Sequence, residues 1–193
     1  MEQEAVLRML KKTVEDRRSG RSPFVIAIDG RSAAGKTTLA ALLAGQLSAA
    51  VIHMDDFFLP MELRTPERLA EPGANLHRER FTEEVLTHLR EGKGFCYRRF
   101  DCGRMDYDKT VTIPGAGCYI VEGAYSCQPA FGEYMDLRVF CDITPGLQKE
   151  RILTRNGEEG WRRFAECWIP MEERYFAAIP VEEKADITIN NLS

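Results

Sequence analysis

Apolar positions along the chain follow two rhythms. Val6, Leu7, Leu10 and Val14 recur at helical spacing, so residues 2–18 are predicted to form an amphipathic helix that Ser19-Gly20 ends. Five short apolar runs, at 24–28, 51–54, 118–121, 137–141 and 187–189, instead have the form of strands buried on both faces. Helical stretches separate them: an Ala- and Leu-rich segment at 36–48, another at 82–89 before Gly92, and one from Thr144-Pro145 to about Arg155. Thr65-Pro66 reads as a helix cap followed by proline at the first helical position. Residues 95–100 and 110–113 are predicted to pair as strands across a polar loop. The stretch 156–160 is polar with two glycines and is predicted to be a loop. Trp161, Phe164, Ala165 and Trp168 then space as one helical face, which Pro170 is expected to kink or break.

Strands alternating with helices imply a parallel sheet covered on both faces, and right-handed crossovers make that a three-layer α/β sandwich with five parallel strands. No internal repeat or long linker divides the chain, so residues 1–193 are predicted to form a single domain. Ligands of such sheets bind beyond the carboxyl ends of the strands. Attention therefore falls on the loops after Ile28, Met54, Val121 and Cys141.

Composition narrows the field. The 44% hydrophobic and 29% charged content is that of a globular chain. Basic residues number 26 against 30 acidic, net −4, which leaves no basic coat for nucleic acid. No apolar run approaches the ~18 residues that a membrane span needs. The first residues carry no apolar signal-peptide core. The six cysteines include no Cys-x-x-Cys pair and lack zinc-ligand spacing. They are expected to be reduced thiols of a cytoplasmic protein.

The loop after the first strand reads Gly30-Arg31-Ser32-Ala33-Ala34-Gly35-Lys36-Thr37. This is the Gly-x-x-x-x-Gly-Lys-Thr phosphate loop, placed between a strand and a helix as its mechanism requires. Backbone N–H groups from Gly30 through Ser32, Ala33, Ala34 and Gly35 to Thr38 can turn toward phosphate oxygens, and the helix start adds its positive end. Lys36, expected to face solvent, supplies charge to the β/γ phosphates, and the Thr37 hydroxyl can ligate Mg²⁺. The fold class is then a P-loop NTPase sandwich that uses ATP and Mg²⁺. The Asn-Lys-x-Asp signature expected of a guanine-nucleotide switch is missing from the sequence.

The second strand ends in His53-Met54-Asp55-Asp56-Phe57-Phe58. A carboxylate there faces the phosphate loop and can take the proton of an attacking hydroxyl or order Mg²⁺. Asp55 is the candidate, with Asp56 pointing elsewhere. The third strand ends in Val121-Glu122-Gly123, which places Glu122 to hold the metal with Thr37 and Asp55. Arg151 and Arg155 lie four apart on one helical face and suit a lid, about 151–165, that closes over the transferred charge. Arg162 and Arg163 are weaker candidates for the same work.

Taken together, Asp-Gly-Arg-Ser-Ala-Ala-Gly-Lys-Thr-Thr-Leu, His-Met-Asp-Asp-Phe-Phe and Val-Glu-Gly resemble the uridine kinase-like family of P-loop kinases, over about residues 22–190. Its relatives include nicotinamide riboside kinase, pantothenate kinase and phosphoribulokinase. The resemblance implies Mg-ATP-dependent phosphorylation of a small-molecule hydroxyl, a nucleoside or riboside first among them. It places Asp55 on the family's catalytic aspartate, Glu122 on its Mg-associated acid, and Lys36 and Thr37 on its phosphate and Mg contacts. The chain departs from the family where uridine kinases carry a ribose-binding Asp, offering His77, and where they carry a base-reading histidine, offering Arg99 to Met105. The acceptor is accordingly expected to meet His77 and the insertion 95–114. Phe100, Asp101 and Arg104 are its nominated contacts, among the polar side chains Arg98, Arg99, Asp106 and Tyr107. Arg104 suits an anionic or carbonyl-rich acceptor. The reading from another class is a regulatory ATPase that binds nucleotide without an acceptor. Oligomeric state leaves no mark on the sequence.

Overall fold

The computed structural model describes residues 3–192; Met1, Glu2 and Ser193, with the predicted start of the first helix at residue 2, lie outside the described residues. Helix α1 (Gln3–Arg18) precedes β1 (Phe24–Gly30), α2 (Lys36–Leu47) and β2 (Ala50–His53). After the short α3 (Pro66–Ala70), α4 (Arg78–Phe81) continues through a π-helical turn (Thr82–Leu86) into α5 (Thr87–Leu89). Strands β3 (Phe95–Asp101), β4 (Asp106–Ile113), β5 (Cys118–Glu122) and β6 (Leu137–Asp142) follow. Helix α6 (Pro145–Arg163), a second π turn (Phe164–Trp168), α7 (Ile169–Ala178) and β7 (Ile187–Asn190) complete the chain.

The main sheet has five parallel strands in the order β2-β5-β1-β6-β7, as the five apolar runs implied. Alternate side chains of each strand point to opposite faces. Phe24, Ile26 and Ile28 pack with α1 and α2, while Val25 and Ala27 pack with helix 78–89, the β3–β4 pair and Tyr175 of α7. These two apolar layers make the three-layer sandwich. All six cysteines are unbridged, with Cys118 and Cys141 buried in strands. No helix among the described residues is long and apolar enough to cross a membrane.

Three local expectations change. The predicted loop 156–160 is helical except at Gly157 (φ 68°, ψ −175°), which kinks α6 so that it runs on to Arg163. Its polar side chains suit an exposed helix as well as a loop, so polarity alone misled. Pro170 does not end the helical run. It sits in the first turn of α7, directly after the π turn at 164–168, where the widened helix absorbs a residue lacking an N–H. The helix read as 82–89 begins earlier, at Arg78, because the His77 side chain accepts a hydrogen bond from the Arg80 N–H and caps it.

Candidate active site

A cavity of about 560 Å³ opens at the carboxyl ends of β1, β2 and β5. Leu192 and Arg151, which meet Gly35 and the Ala33 carbonyl, line its phosphate-loop end, and Gln3, Thr38 and Arg155 also line it. Asp55, Phe58, Asn75, Cys102, Tyr125 and Trp168 line the other. Ser32, Ala33, Gly35, Lys36, Thr37, Glu122 and Glu172 lie along its walls; of the residues nominated for phosphate and metal, Gly30 and Ala34 do not line it.

The phosphate loop owes its shape to contacts within and around it. Gly30 has φ 136°, and a Cβ there would lie 2.0 Å from the Cys141 carbonyl oxygen, so only glycine fits. Ala33 also takes a positive φ of 63°, and Gly35 caps α2 at φ 95°. Ala34 is buried, its N–H donating to the Arg31 carbonyl at 3.2 Å. The first N–H groups of α2, from Lys36 through Thr38, have no intrahelical acceptor and form the anion-binding end. Lys36 is not the solvent-facing side chain expected. It is buried and folds back over the loop, donating to the Gly30 and Arg31 carbonyls at 2.8 and 2.9 Å. A lysine tethered to its own loop stands at the phosphate site instead of in bulk water.

Beneath the loop, Asp29 is fully buried and accepts from the N–H groups of Gly30, Tyr125 and Cys127 and from the Tyr175 hydroxyl. Burial pushes its pKa up, and these donors pull against that. The buried Glu122 accepts from Thr37 Oγ1 at 3.2 Å on each carboxylate oxygen, and His53 Nδ1 approaches Oε1 at 2.5 Å. The Glu122 contact raises the His53 pKa. Asp55 opens onto the cavity, yet protein crowds its carboxyl. Loss of water pushes its pKa up, Lys36 pulls it down, and Glu122 and Asp56 push it up again. Asp56 faces away, accepting from the Tyr97 hydroxyl at 2.8 Å, so the two neighbours do point in different directions.

The oxygen set of Thr37, Glu122 and Asp55 fits Mg²⁺, which uses one or two carboxylates together with substrate phosphates and water. A self-sufficient cage of three or more His, Cys, Asp or Glu does not occur among the described residues, and this metal does not need one.

The two arginines nominated for a lid are engaged. Arg151 donates to the Ala33 carbonyl at 3.1 Å and the Leu192 carbonyl at 2.6 Å. Arg155 donates to Asn156 Oδ1 at 2.7 Å and lies 5.6 Å from the centre of the Phe164 ring. Arg163 pairs with Glu159 on the exposed face.

The nominated acceptor contacts lie elsewhere. His77 caps α4 and lies 3.3 Å from Glu79. Phe100 is buried against Tyr107. Asp101 accepts from the Gly103 and Arg104 N–H groups at the hairpin turn, and Arg104 is exposed there. None of the four lines the cavity; Cys102, between them, does. The hairpin charges are largely spent on one another: Arg99 pairs with Asp108, and Arg98 stacks 4.3 Å over the Tyr107 ring. Asn75 and Glu172 line the cavity, and His53 reaches Glu122 from outside it; the sequence reading nominated none of these as site residues. His53 stood within a quoted motif. Asn75 lies in the Asn75-Leu76-His77 stretch, where the resemblance pointed to His77 instead, and Glu172, in a plain helical stretch, carries no local signal.

No family model matches the chain, and no curated protein matches it. Solved structures do. A "possible uridine kinase" from Bacillus stearothermophilus superposes with a TM-score of 0.73 at 19% identity, over 95% of this chain and 96% of that one. YFH7 from Saccharomyces cerevisiae, with a circular permutation, gives 0.65 at 11% identity, over 100% and 99%. D-glycerate 3-kinase from Cryptococcus neoformans gives 0.61 at 14%, over 89% and 87%. The fold is that of the uridine kinase-like P-loop kinases, the architecture the three motifs implied.

Proposed function

We propose that this protein transfers the γ-phosphoryl group of ATP to a hydroxyl of a small neutral molecule, a nucleoside or riboside first among them. The observation that carries the reading is one cavity lined by both the phosphate loop and Asp55. Asp55 takes the hydroxyl proton as the acceptor oxygen bonds to phosphorus and the bond to the ADP oxygen breaks. Lys36, tethered over the loop, meets charge developing on the phosphates, and Arg151 and Arg155 close the nucleotide end. Thr37 and Glu122 would hold Mg²⁺, which, when bound, neutralises phosphate charge.

Three carboxylates, Asp55, Glu122 and Glu172, line the walls, so an acidic acceptor meets like charge. Phe58 and Trp168, with ring centres 5.7 Å apart, offer an aromatic wall to a planar or apolar face. The resemblance to kinases of small molecules supports the same reading. The alternative, an ATPase without acceptor, leaves the Asp55 end of the cavity without a task.

A coupled ADP-release screen over nucleosides, ribosides, pantothenate and sugar phosphates tests the proposal. Release that depends on a neutral hydroxyl compound supports it. Release at one rate whatever is added favours the ATPase, and turnover confined to acidic acceptors removes the neutral class.

A further inference from the structure

Helices α6 and α7 both hold the phosphate loop. From α6, Gln148 and Arg151 donate to the carbonyls of Ser32 and Ala33, each at 3.1 Å. From α7, three residues meet the β1 end and the loop in antiparallel order. The Tyr175 hydroxyl donates to Asp29 at 3.0 Å, and Glu173 accepts from Arg31 Nε at 2.7 Å. Glu172 accepts from the Ser32 N–H at 3.0 Å and from its hydroxyl. Of these three α7 residues, Glu172 lines the cavity, and it is buried at 5% exposure.

A carboxylate buried beside an anion-binding loop is costly unless donors hold it, and Ser32 supplies a donor to each of its oxygens. Trp168 precedes Glu172 by four residues, one helical turn, and so shares its face. The Trp168 ring packs against Phe58 to form the aromatic wall of the Asp55 end. Ser32, Glu172 and Trp168 thus run in one line from the phosphate loop to that wall. A phosphate entering the loop meets the Glu172 carboxylate as like charge, so the loaded and empty loops hold α7 with different strength. That difference in interaction is what a ligand needs in order to shift a conformational equilibrium.

We infer that Glu172 is a positioning residue: through Ser32 it couples occupation of the phosphate loop to the placement of Trp168 at the acceptor end. The inference rests on the proposed nucleotide-binding role of the loop and adds a residue and a direction of coupling to it.

The chain has two tryptophans, so Trp161→Phe leaves Trp168 as the sole tryptophan, excited at wavelengths that tyrosine does not absorb. This parent is titrated with Mg-ADP and with inorganic tripolyphosphate, following Trp168 emission and, separately, heat of binding. The expected result is an emission change that tracks binding. In Glu172→Ala that change falls to about a fifth or less while binding heat persists, because the link between the loop and Trp168 is removed. Glu172→Gln keeps an oxygen for the Ser32 N–H but loses the charge. It is expected to hold its melting temperature near the parent value and still lose the emission change, which a merely structural role would not produce. Should Glu172→Ala fail to fold, Ser32→Ala removes the hydroxyl half of the contact and is expected to shrink the change. Binding without an emission change in the parent, or an undiminished change in the Glu172 variants, overturns the coupling. No heat of binding in the parent overturns the nucleotide reading itself, and the coupling with it.

Discussion

The two ends of the cavity are built in opposite ways. The phosphate end is one contiguous segment, Gly30–Thr37, whose working groups are mainly backbone N–H groups and one lysine tied to its own loop. The Asp55 end draws single side chains from distant segments: Asp55 and Phe58 after β2, Asn75 before α4, Cys102 in the hairpin, Tyr125 after β5 and Trp168 before α7. Backbone chemistry tolerates little change in residue type because it depends on loop shape. Side-chain chemistry can be exchanged piece by piece while the sheet stays the same. The contrast teaches that the shape of the phosphate loop is fixed locally, whereas the Asp55 end of the cavity is made by tertiary assembly.

The strongest way to break this contrast is Asp55→Asn. Asparagine keeps the shape but cannot take the proton, so kcat for an acceptor found in the screen is expected to fall by about 10²–10⁴. Calorimetric ATP affinity is expected to change little. An unchanged kcat would move the base elsewhere, with Asp56 next in line. At the other end, Lys36→Ala is expected to lower kcat by roughly 10²–10³. It also frees the Gly30 and Arg31 carbonyls, so circular dichroism and a melting curve must accompany the kinetics.

Gly30→Ala tests loop shape directly. Its Cβ would collide with the Cys141 carbonyl oxygen at 2.0 Å, and urea unfolding is expected to show a loss of about 3–5 kcal/mol. A loss below about 1 kcal/mol would mean that the loop yields easily, and the contrast between rigid and assembled ends would weaken. Smaller effects separate the acceptor contacts. Asn75→Ala is expected to raise the acceptor KM by about threefold to tenfold, the scale of one hydrogen bond, while Arg104→Ala moves it by less than about twofold. The opposite ranking would return the hairpin turn to the acceptor site.

The smallest effect concerns acid. Arg68 holds the segment that carries Asn75, donating to the Ala74 and Leu76 carbonyls and to Glu79. Its pairing lowers the Glu79 pKa from 4.5 to about 2. A depressed carboxylate stabilises the fold above its unfolded pKa and loses that contribution as pH falls from about 4.5 to about 2. Glu79→Gln should therefore flatten the stability curve in that window and leave its shape above pH ~5 unchanged. A slope identical to the parent's would show that the pair adds nothing, as surface ion pairs often do.

Much of the architecture was legible because it depends on local period. Runs of apolar residues placed all five sheet strands, and the glycine-lysine-threonine pattern placed the loop between β1 and α2. Polarity misread 156–160 as a loop because an exposed helix and a loop share composition, and Gly157 supplies only one kink. The hairpin was rich in charge, but whether Arg99 meets a ligand or Asp108 depends on strand register, which puts Arg99 near Asp108 across the turn.

The chain by itself determined the parallel sheet, the phosphate loop and the placing of acids at strand ends, because each follows from residues close together in sequence. Tertiary structure alone decided that Lys36 is buried, that His77 caps a helix while Asn75 faces the cavity, and that Glu172 reaches Ser32. The physical reason is distance along the chain. Glu172 and Ser32 are 140 residues apart, and no local pattern can encode a contact that exists only after α7 has packed onto the end of the sheet.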